Sequence, residues 1–272
     1  MEPFPGWVDN FNGPMGLLVG GGTGLIRTLY ADTKLETEYM PVDNIVKLLI
    51  VGTWNKGISR DANTLSIQQG SKYNHPQFYV GAYIDIGREL LWEDPFENKI
   101  WYPDGSLTTN WLYYFINVLL FHMVPAFFLD IGLKMTGQKP RLFKTQRKIY
   151  IANMAVKHFS LNEWHFVNDE ACKLLKKIPS KETKDFNFDI MPADYQSLKE
   201  FYRQCSIFVK VNFLKENRSV TKRNSIITKM MYVMHKSIKT TCYVILIWSL
   251  FFKINIIELI NRKLLGYWNG LE

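Results

Sequence analysis

Cysteine is scarce in this sequence. The 272 residues contain three, Cys172, Cys205 and Cys242, far apart and with no C-x-x-C pair. An odd, scattered set makes a poor disulfide framework and fits a reducing compartment. Histidine is nearly as sparse. The five (His75, His122, His158, His165 and His235) show no H-x-x-x-H spacing and no paired carboxylates, so no metal site is expected. His122 reads as a satisfied core or interfacial histidine. No G-x-S-x-G elbow occurs. The first residues have neither a basic region nor an apolar stretch, so no signal peptide is expected. Internal repeats and low-complexity segments are missing too.

The composition that remains is globular, with 47% hydrophobic and 21% charged residues, which excludes disordered and collagen-like chains. The net charge of +8 is unevenly placed. Residues 1–104 carry 8 Lys/Arg against 13 Asp/Glu, and residues 105–272 carry 25 against 12. A basic half commonly meets phosphate, in a nucleic acid, a lipid headgroup or a phosphorylated cofactor, and is otherwise a solvated lysine-rich surface. The basic residues flank apolar runs and carry no RNA-binding signature, which argues against nucleic acid.

Residues 2–24 are rich in glycine and proline around Leu17-Leu18-Val19, which is loop chemistry. Met40-Pro41-Val42 reads as extended, with Asp43 as an N-cap and Ile45, Leu48 and Leu49 on one helical face. Residues 63–68 fit a short strand, and Gly70 to His75 a loop. Pro76 opens an amphipathic helix with Phe78, Ala82, Tyr83, Ile86 and Leu90 on one face, and Pro95 ends it. Residues 98–104 read as extended. Residues 105–129 contain no Asp, Glu, Lys or Arg and are interrupted by Pro125. Helical segments follow at 141–158, 162–178 and 195–214. In the last, Leu198, Phe201, Tyr202, Cys205, Phe208 and Val209 form a stripe that reads as core packing.

Two patterns suggest nicotinamide chemistry and fail on inspection. Gly20-Gly21-Gly22-Thr23-Gly24 follows an apolar run, but counted from Gly20 the third glycine of G-x-G-x-x-G is replaced by Leu25. A backbone-hugging turn is the better reading. Tyr30 and Lys34 have Y-x-x-x-K spacing, yet no nucleotide-binding half precedes them. By motif alone the sequence holds no complete active site.

Longer strings carry a resemblance. Glu2-Pro3-Phe4-Pro5-Gly6-Trp7-Val8-Asp9-Asn10, then Asn12-Gly13-Pro14, Gly24 with Arg27-Thr28, and Pro41-Val42-Asp43, come first. Pro95-Phe96, Trp101-Tyr102-Pro103-Asp104-Gly105, His122 with Pro125, and Gly137-Gln138-Lys139-Pro140-Arg141 follow. Phe159, Glu163-Trp164-His165-Phe166 and Phe186-Asn187-Phe188-Asp189-Ile190 complete the series. In order and spacing these resemble alcohol-forming fatty acyl-CoA reductases, of the insect-like branch, from residue 2 to about 216. The resemblance implies an extended short-chain dehydrogenase (Rossmann) domain followed by a mainly helical C-terminal domain. It also implies reduction of long-chain acyl-CoA to primary alcohol with two NADPH. The family's cofactor loop and its Tyr/Lys pair lie upstream of the Pro-Gly-Trp string and have no matching positions here. Tyr30 and Lys34 fall after that string.

The expected fold class is therefore an α/β remnant of the Rossmann domain over 1–75, the family's helical domain over 76–216, and a basic linker with a membrane-directed helix over 217–272. A loop-first start without its sheet is what a polypeptide cut within a domain would show. A short inactive form is the other reading, acting as a membrane-associated acyl-binding or interaction protein. No catalytic or cofactor-binding residue is assigned. Gly6, Trp7, Asn10, Gly13, Pro14 and Arg27 are the candidate substrate-binding residues, since glycines admit close backbone approach and arginine meets phosphate. The expected partners are long-chain acyl-CoA and membrane lipids, at the cytosolic face of the peroxisome or endoplasmic reticulum. From Lys210 to Lys239 there are eight basic residues and one acid, and Thr240–Phe252 is uncharged, which fits a cytosolic flank and an anchor. Residues 105–129 read either as a membrane-surface or spanning helix or as the lining of an acyl tunnel.

Overall fold

The glycine-rich start is helical where a loop was expected. In the computed structural model, which describes residues 4–59, 65–72, 75–218 and 222–268, α1 runs over Pro14–Gly22. Pro14 sits in the first turn, where its missing N–H costs nothing, and Gly13 precedes it at φ +72°. Glycine weakens a helix by roughly 1 kcal/mol per residue relative to alanine. Contact with the rest of the fold offsets this. A Cβ on Gly20 would lie 2.4 Å from Ile26, and one on Gly22 would lie 2.6 Å from Leu91 and Phe96.

Strand β1 (Thr28–Tyr30) pairs in parallel with β2 (Ser106–Thr108), Thr28 opposite Ser106. This two-stranded sheet is the only one among the described residues. Parallel partners need a long crossover, and here it contains α2 (Val42–Ile58) and α3 (Val80–Glu93). Met40-Pro41-Val42 is no strand: Pro41 is extended without a strand partner, and α2 begins at Val42. Asp43 therefore lies in the first turn, where it favours the helix dipole, and is not the cap. Residues 65–68 have no regular structure, and 63–64 lie outside the described residues. Helix α3 starts at Val80, because Tyr79 is held by an antiparallel bridge to Glu36. Pro95 follows its end, as expected.

Helix α4 (Trp111–Val118) passes through a π-turn at Leu119–Met123 into α5 (Val124–Met135). Pro125 was expected to interrupt this segment. Proline lacks an N–H and its ring crowds the carbonyl four residues back. The wider turn absorbs the strain: Val124 N–H reaches back to the Leu119 carbonyl, and the helix continues. Asp130 then accepts the N–H groups of Arg141, Leu142 and Phe143, each at 2.9 Å, at the start of α6 (Leu142–Ser160).

Helix α7 is short, Asp169–Leu175, where 162–178 was expected. Backbone groups before it are used elsewhere. The Ser71 hydroxyl donates to the Phe166 carbonyl, and the Asn168 amide donates to the Ser71 carbonyl at 3.0 Å. After α8 (Thr183–Phe186), a capping box between Asp194 and Ser197 starts α9 (Tyr195–Asn212). Its inner face buries Leu198, Tyr202, Cys205 and Val209 as the stripe predicts, while Phe201 remains exposed.

Two clusters form the core. Met15 and Leu18 of α1, Ile86, Leu90 and Leu91 of α3, Phe96, and Leu198, Tyr202 and Cys205 of α9 form the larger. Leu48 and Val51 of α2 pack with Ala171, Leu174 and Phe188 in the smaller. Ion pairs join α3 to α9 outside the first cluster: Lys199 meets Glu89 at 2.6 Å and Glu93 at 2.8 Å, and Arg203 meets Glu93 at 2.7 Å. Lys210 pairs with Asp94, and the Glu216 carboxylate accepts the N–H groups of Glu97 and Asn98 at 2.8 Å each.

All of these elements belong to one unit, Met1–Thr221. The second unit, Lys222–Glu272, holds the continuous helix α10 (Lys222–Trp268), within the 217–272 segment where a membrane-directed helix was expected. Trp248, Phe251 and Phe252 on it are exposed.

Candidate functional site

Where the first loop crosses α3 and α9, the unit encloses a cavity of about 480 Å³. That is within the range of small-molecule sites, roughly 300–1,000 Å³. Gly6, Trp7, Asn10 and Pro14 line it, so four of the six candidate residues are brought together. Gly6 is there of necessity. Its φ is +74°, and a Cβ would lie 2.3 Å from the Gln204 carbonyl group on α9. Glycine alone lets the loop lie on the helix backbone. The turn that follows is fixed by the Asn10 side chain, which accepts the Asn12 N–H at 2.8 Å.

The other two candidates are placed apart. Gly13 precedes α1 and does not line the cavity. Arg27 packs its guanidinium 5.5 Å from the Trp101 ring centroid and 5.6 Å from that of Tyr102. Burial lowers its pKa, against the raising influence of Tyr102 and Asp104. Its backbone N–H donates to His122 Nε2 at 3.3 Å, which gives that buried histidine the partner expected of it.

Three tyrosines stand at the inner end. Tyr83 meets Tyr39 at 5.3 Å and Tyr202 at 5.6 Å between ring centroids, both edge-on. Burial raises the pKa of all three phenols. The same tyrosines, with Pro14, also line a second, narrower space of about 80 Å³. That space is walled by Leu17, Leu18, Ile26, Leu29 and Leu91. The arrangement sets a chamber with polar residues in its wall beside an apolar trough, with the tyrosine rings common to both. It suits a molecule with a polar head and a hydrocarbon tail. Lys72, Tyr83, Tyr202 and Cys205 belong to this wall. The stripe on α9 and the face on α3 could have pointed to Tyr83, Tyr202 and Cys205, and both read as core; nothing pointed to Lys72.

Of residues 105–129, Gly105, Ser106 and Leu107 line the trough, whereas the helix α4–α5 lines neither the chamber nor the trough. Tyr114, Val118, His122 and Ala126 bury one side of it, and Leu112, Phe115, Leu120, Phe127 and Phe128 are exposed. Trp111–Met135 is the helix, among the described residues, long and apolar enough to cross a membrane. Tyr30 is committed to this region: its ring lies 5.7 Å from Trp111 and 5.5 Å from Tyr114.

Two family models described as male sterility protein match the chain, an NAD-binding one over residues 1–49 and a second over 121–216. Fatty acyl-CoA reductase 1 of Xenopus laevis is 30% identical over 250 residues, which cover 92% of this chain and 48% of the relative. The protein of that name from Homo sapiens gives the same figures. Fatty acyl-CoA reductase wat of Drosophila melanogaster is 28% identical over 261 residues with the same coverage. This chain belongs to the fatty acyl-CoA reductase family. It spans about half the length of the curated relatives it matches, and frog, human and fly relatives resemble it almost equally. The NAD-binding match gives the N-terminal part of this reductase-family chain a Rossmann-like origin.

That match points to a nicotinamide cofactor for the family, and the glycine run Gly20–Gly22 does not form its cradle. A dinucleotide cradle presents open glycine N–H groups at a helix N-terminus. In this family member Gly20–Gly22 lie at the C-terminal end of α1, with Ile26 where a Cβ on Gly20 would be and Leu91 and Phe96 where one on Gly22 would be. The Gly21 carbonyl accepts from Gly24 and Asp104.

Burial in the cavity wall pushes the Cys205 thiol up to about 11. An unfolded thiol ionises near 8.5. The unfolded state therefore loses its proton first, and stability falls as pH rises between the two values. Between pH 7.5 and 9.5, Cys205→Val is expected to lose about 1 kcal/mol less than the parent chain in urea titrations. Parallel pH profiles would place the thiol in a solvated setting.

Proposed function

We propose that the protein reduces long-chain acyl-CoA to primary fatty alcohol with NADPH, as a lipid-metabolic oxidoreductase. In this reading residues 1–272 build the acyl-binding side of the enzyme and do not carry hydride transfer. The carrying observation is the cavity against α3 and α9, with polar residues in its wall and the apolar trough beside it. Gly6, Trp7, Asn10 and Pro14 form the substrate-facing wall. Gly13 sets the turn into α1. Arg27 acts from behind, fixing through its clamp on Trp101 and Tyr102 the neighbouring Ile26 and Thr28 that line the trough. Residues 1–75 are read as the end of the Rossmann-like reductase domain and 76–216 as the family's helical domain.

The expected result with purified chain, palmitoyl-CoA and NADPH is no alcohol. Alcohol formation above the enzyme-free control would show that the hydride machinery lies within these residues. A second role follows from the same cavity, that of a membrane-associated acyl-binding protein without turnover.

The chain is further read as membrane-associated, with residues 1–225 on the cytosolic side of the peroxisome or endoplasmic reticulum and the tail from about 240 inserted. The apolar outer side of α4–α5 supports a second attachment, since a helix docked on the protein by one side can lie in the interface by the other. Lys236 and Lys239 flank the tail where headgroups attract them. Deleting residues 226–272 should reduce the membrane-bound fraction after a carbonate wash without abolishing it. Complete release would leave α4–α5 no role in attachment, and full solubility of the intact chain would refute membrane association.

A further inference from the structure

The least expected group in the cavity wall is an ammonium. Lys72 lines the chamber and is 1% exposed, yet its Nζ makes no hydrogen bond to any described residue. It lies over the face of Tyr83, 5.9 Å from the ring centroid. Burying an ammonium without a hydrogen-bonded partner is costly, and proteins rarely do so without use. Desolvation lowers its pKa, while the charges of Glu38 and Glu36 oppose that shift. Glu38 does not cap it: that carboxylate accepts the Lys72 backbone N–H instead, at 3.2 Å. The Lys72 carbonyl is also engaged, by His75 N–H at 2.8 Å and the Gln77 amide at 3.0 Å. The backbone of Lys72 is thus pinned while its charged end has no acceptor among the described residues. Two other charged residues line the chamber, Asp9 and Asp43; the first is exposed and the second half-buried.

The Tyr83 ring that Lys72 faces is also shared with the trough. A donor and a hydrocarbon channel therefore meet at one ring. We propose that Lys72 is the head-group donor of the cavity, hydrogen-bonding the oxygen of a long-chain acyl ligand whose chain runs past Tyr39, Tyr83 and Tyr202 into the trough. This rests on the acyl-binding reading above and names the residue that recognises the acyl head. The shared chemistry is an oxygen acceptor on a long alkyl chain, supplied either by a free fatty acid or by the thioester carbonyl of an acyl-CoA.

The test uses the intact 272-residue chain in membranes and two photoreactive probes, a diazirine-bearing palmitic acid and the matching diazirine hexadecanol. Labelled residues are mapped by mass spectrometry. The acid should label the tyrosine-lined wall of the parent chain. Lys72→Met should reduce that labelling about tenfold or more, in line with loss of a charge-assisted hydrogen bond, and Lys72→Arg should restore part of it. Labelling by the alcohol should change less than about threefold, on the same scale. Competition by unlabelled palmitate or by palmitoyl-CoA identifies the source of the acyl head. Lys72→Met removes an unpaired buried charge, so the ligand-free variant should melt at or above the parent temperature, which separates lost recognition from lost folding. Equal acid labelling of parent and Lys72→Met overturns the role of Lys72 and leaves the acyl cavity standing. Failure of both probes to label the cavity overturns the acyl reading and the role of Lys72 with it.

Discussion

At Gly6, Gly20, Gly22 and Gly24 the backbone lies against its neighbours at distances that leave no room for a side chain, and the cavity is a product of that approach. Gly6 rests on the Gln204–Cys205 backbone of α9, Gly22 on Leu91 and Phe96, and Gly24, at φ +72°, on Trp101. Glycine pays for this in chain entropy on folding. The return is that Trp7 and Asn10 are held over the chamber while Met15 and Leu18 enter the same core as α3 and α9. A bulkier residue at any of these positions would lift the loop off the helices and open the wall it forms.

Much of this arrangement was legible in the sequence, for identifiable reasons. The period of apolar residues on α3 and α9 gave their buried faces, since Ile86, Leu90, Leu198, Tyr202 and Val209 lie inward as spaced. The resemblance strings located the loop that brings four of the six candidate residues to the proposed wall. The glycine run misled, because local propensity reads Gly20–Gly22 as loop while packing against Ile26 and Phe96 holds it in a helix. Pro125 misled likewise, because a π-turn relieves the clash that a proline normally causes. Lys72 gave no signal at all. A lysine beside glycine and serine reads as surface loop, and only tertiary packing buries it.

In the proposed reading, acyl binding and membrane contact fall on different parts of the first unit. The chamber and trough are bounded chiefly by the first loop, α1, α3 and α9, whereas the exposed apolar residues of α4–α5 are carried by a helix that docks through Tyr114, Val118, His122 and Ala126. The hydrogen bond from Arg27 N–H to His122 links that helix to the strand whose neighbours line the trough. A hydrophobic substrate delivered from a membrane would thus meet a protein already attached beside its binding site.

The central claim is that the trough beyond Tyr83 holds an alkyl chain. Diffraction from crystals of the chain grown with a terminally brominated palmitate tests it directly. The account predicts a bromine anomalous peak among Leu17, Ile26 and Leu91, with the carboxylate on the Lys72 side of Tyr83. A bromine peak on the outer side of α4–α5, with the trough unoccupied, would contradict it.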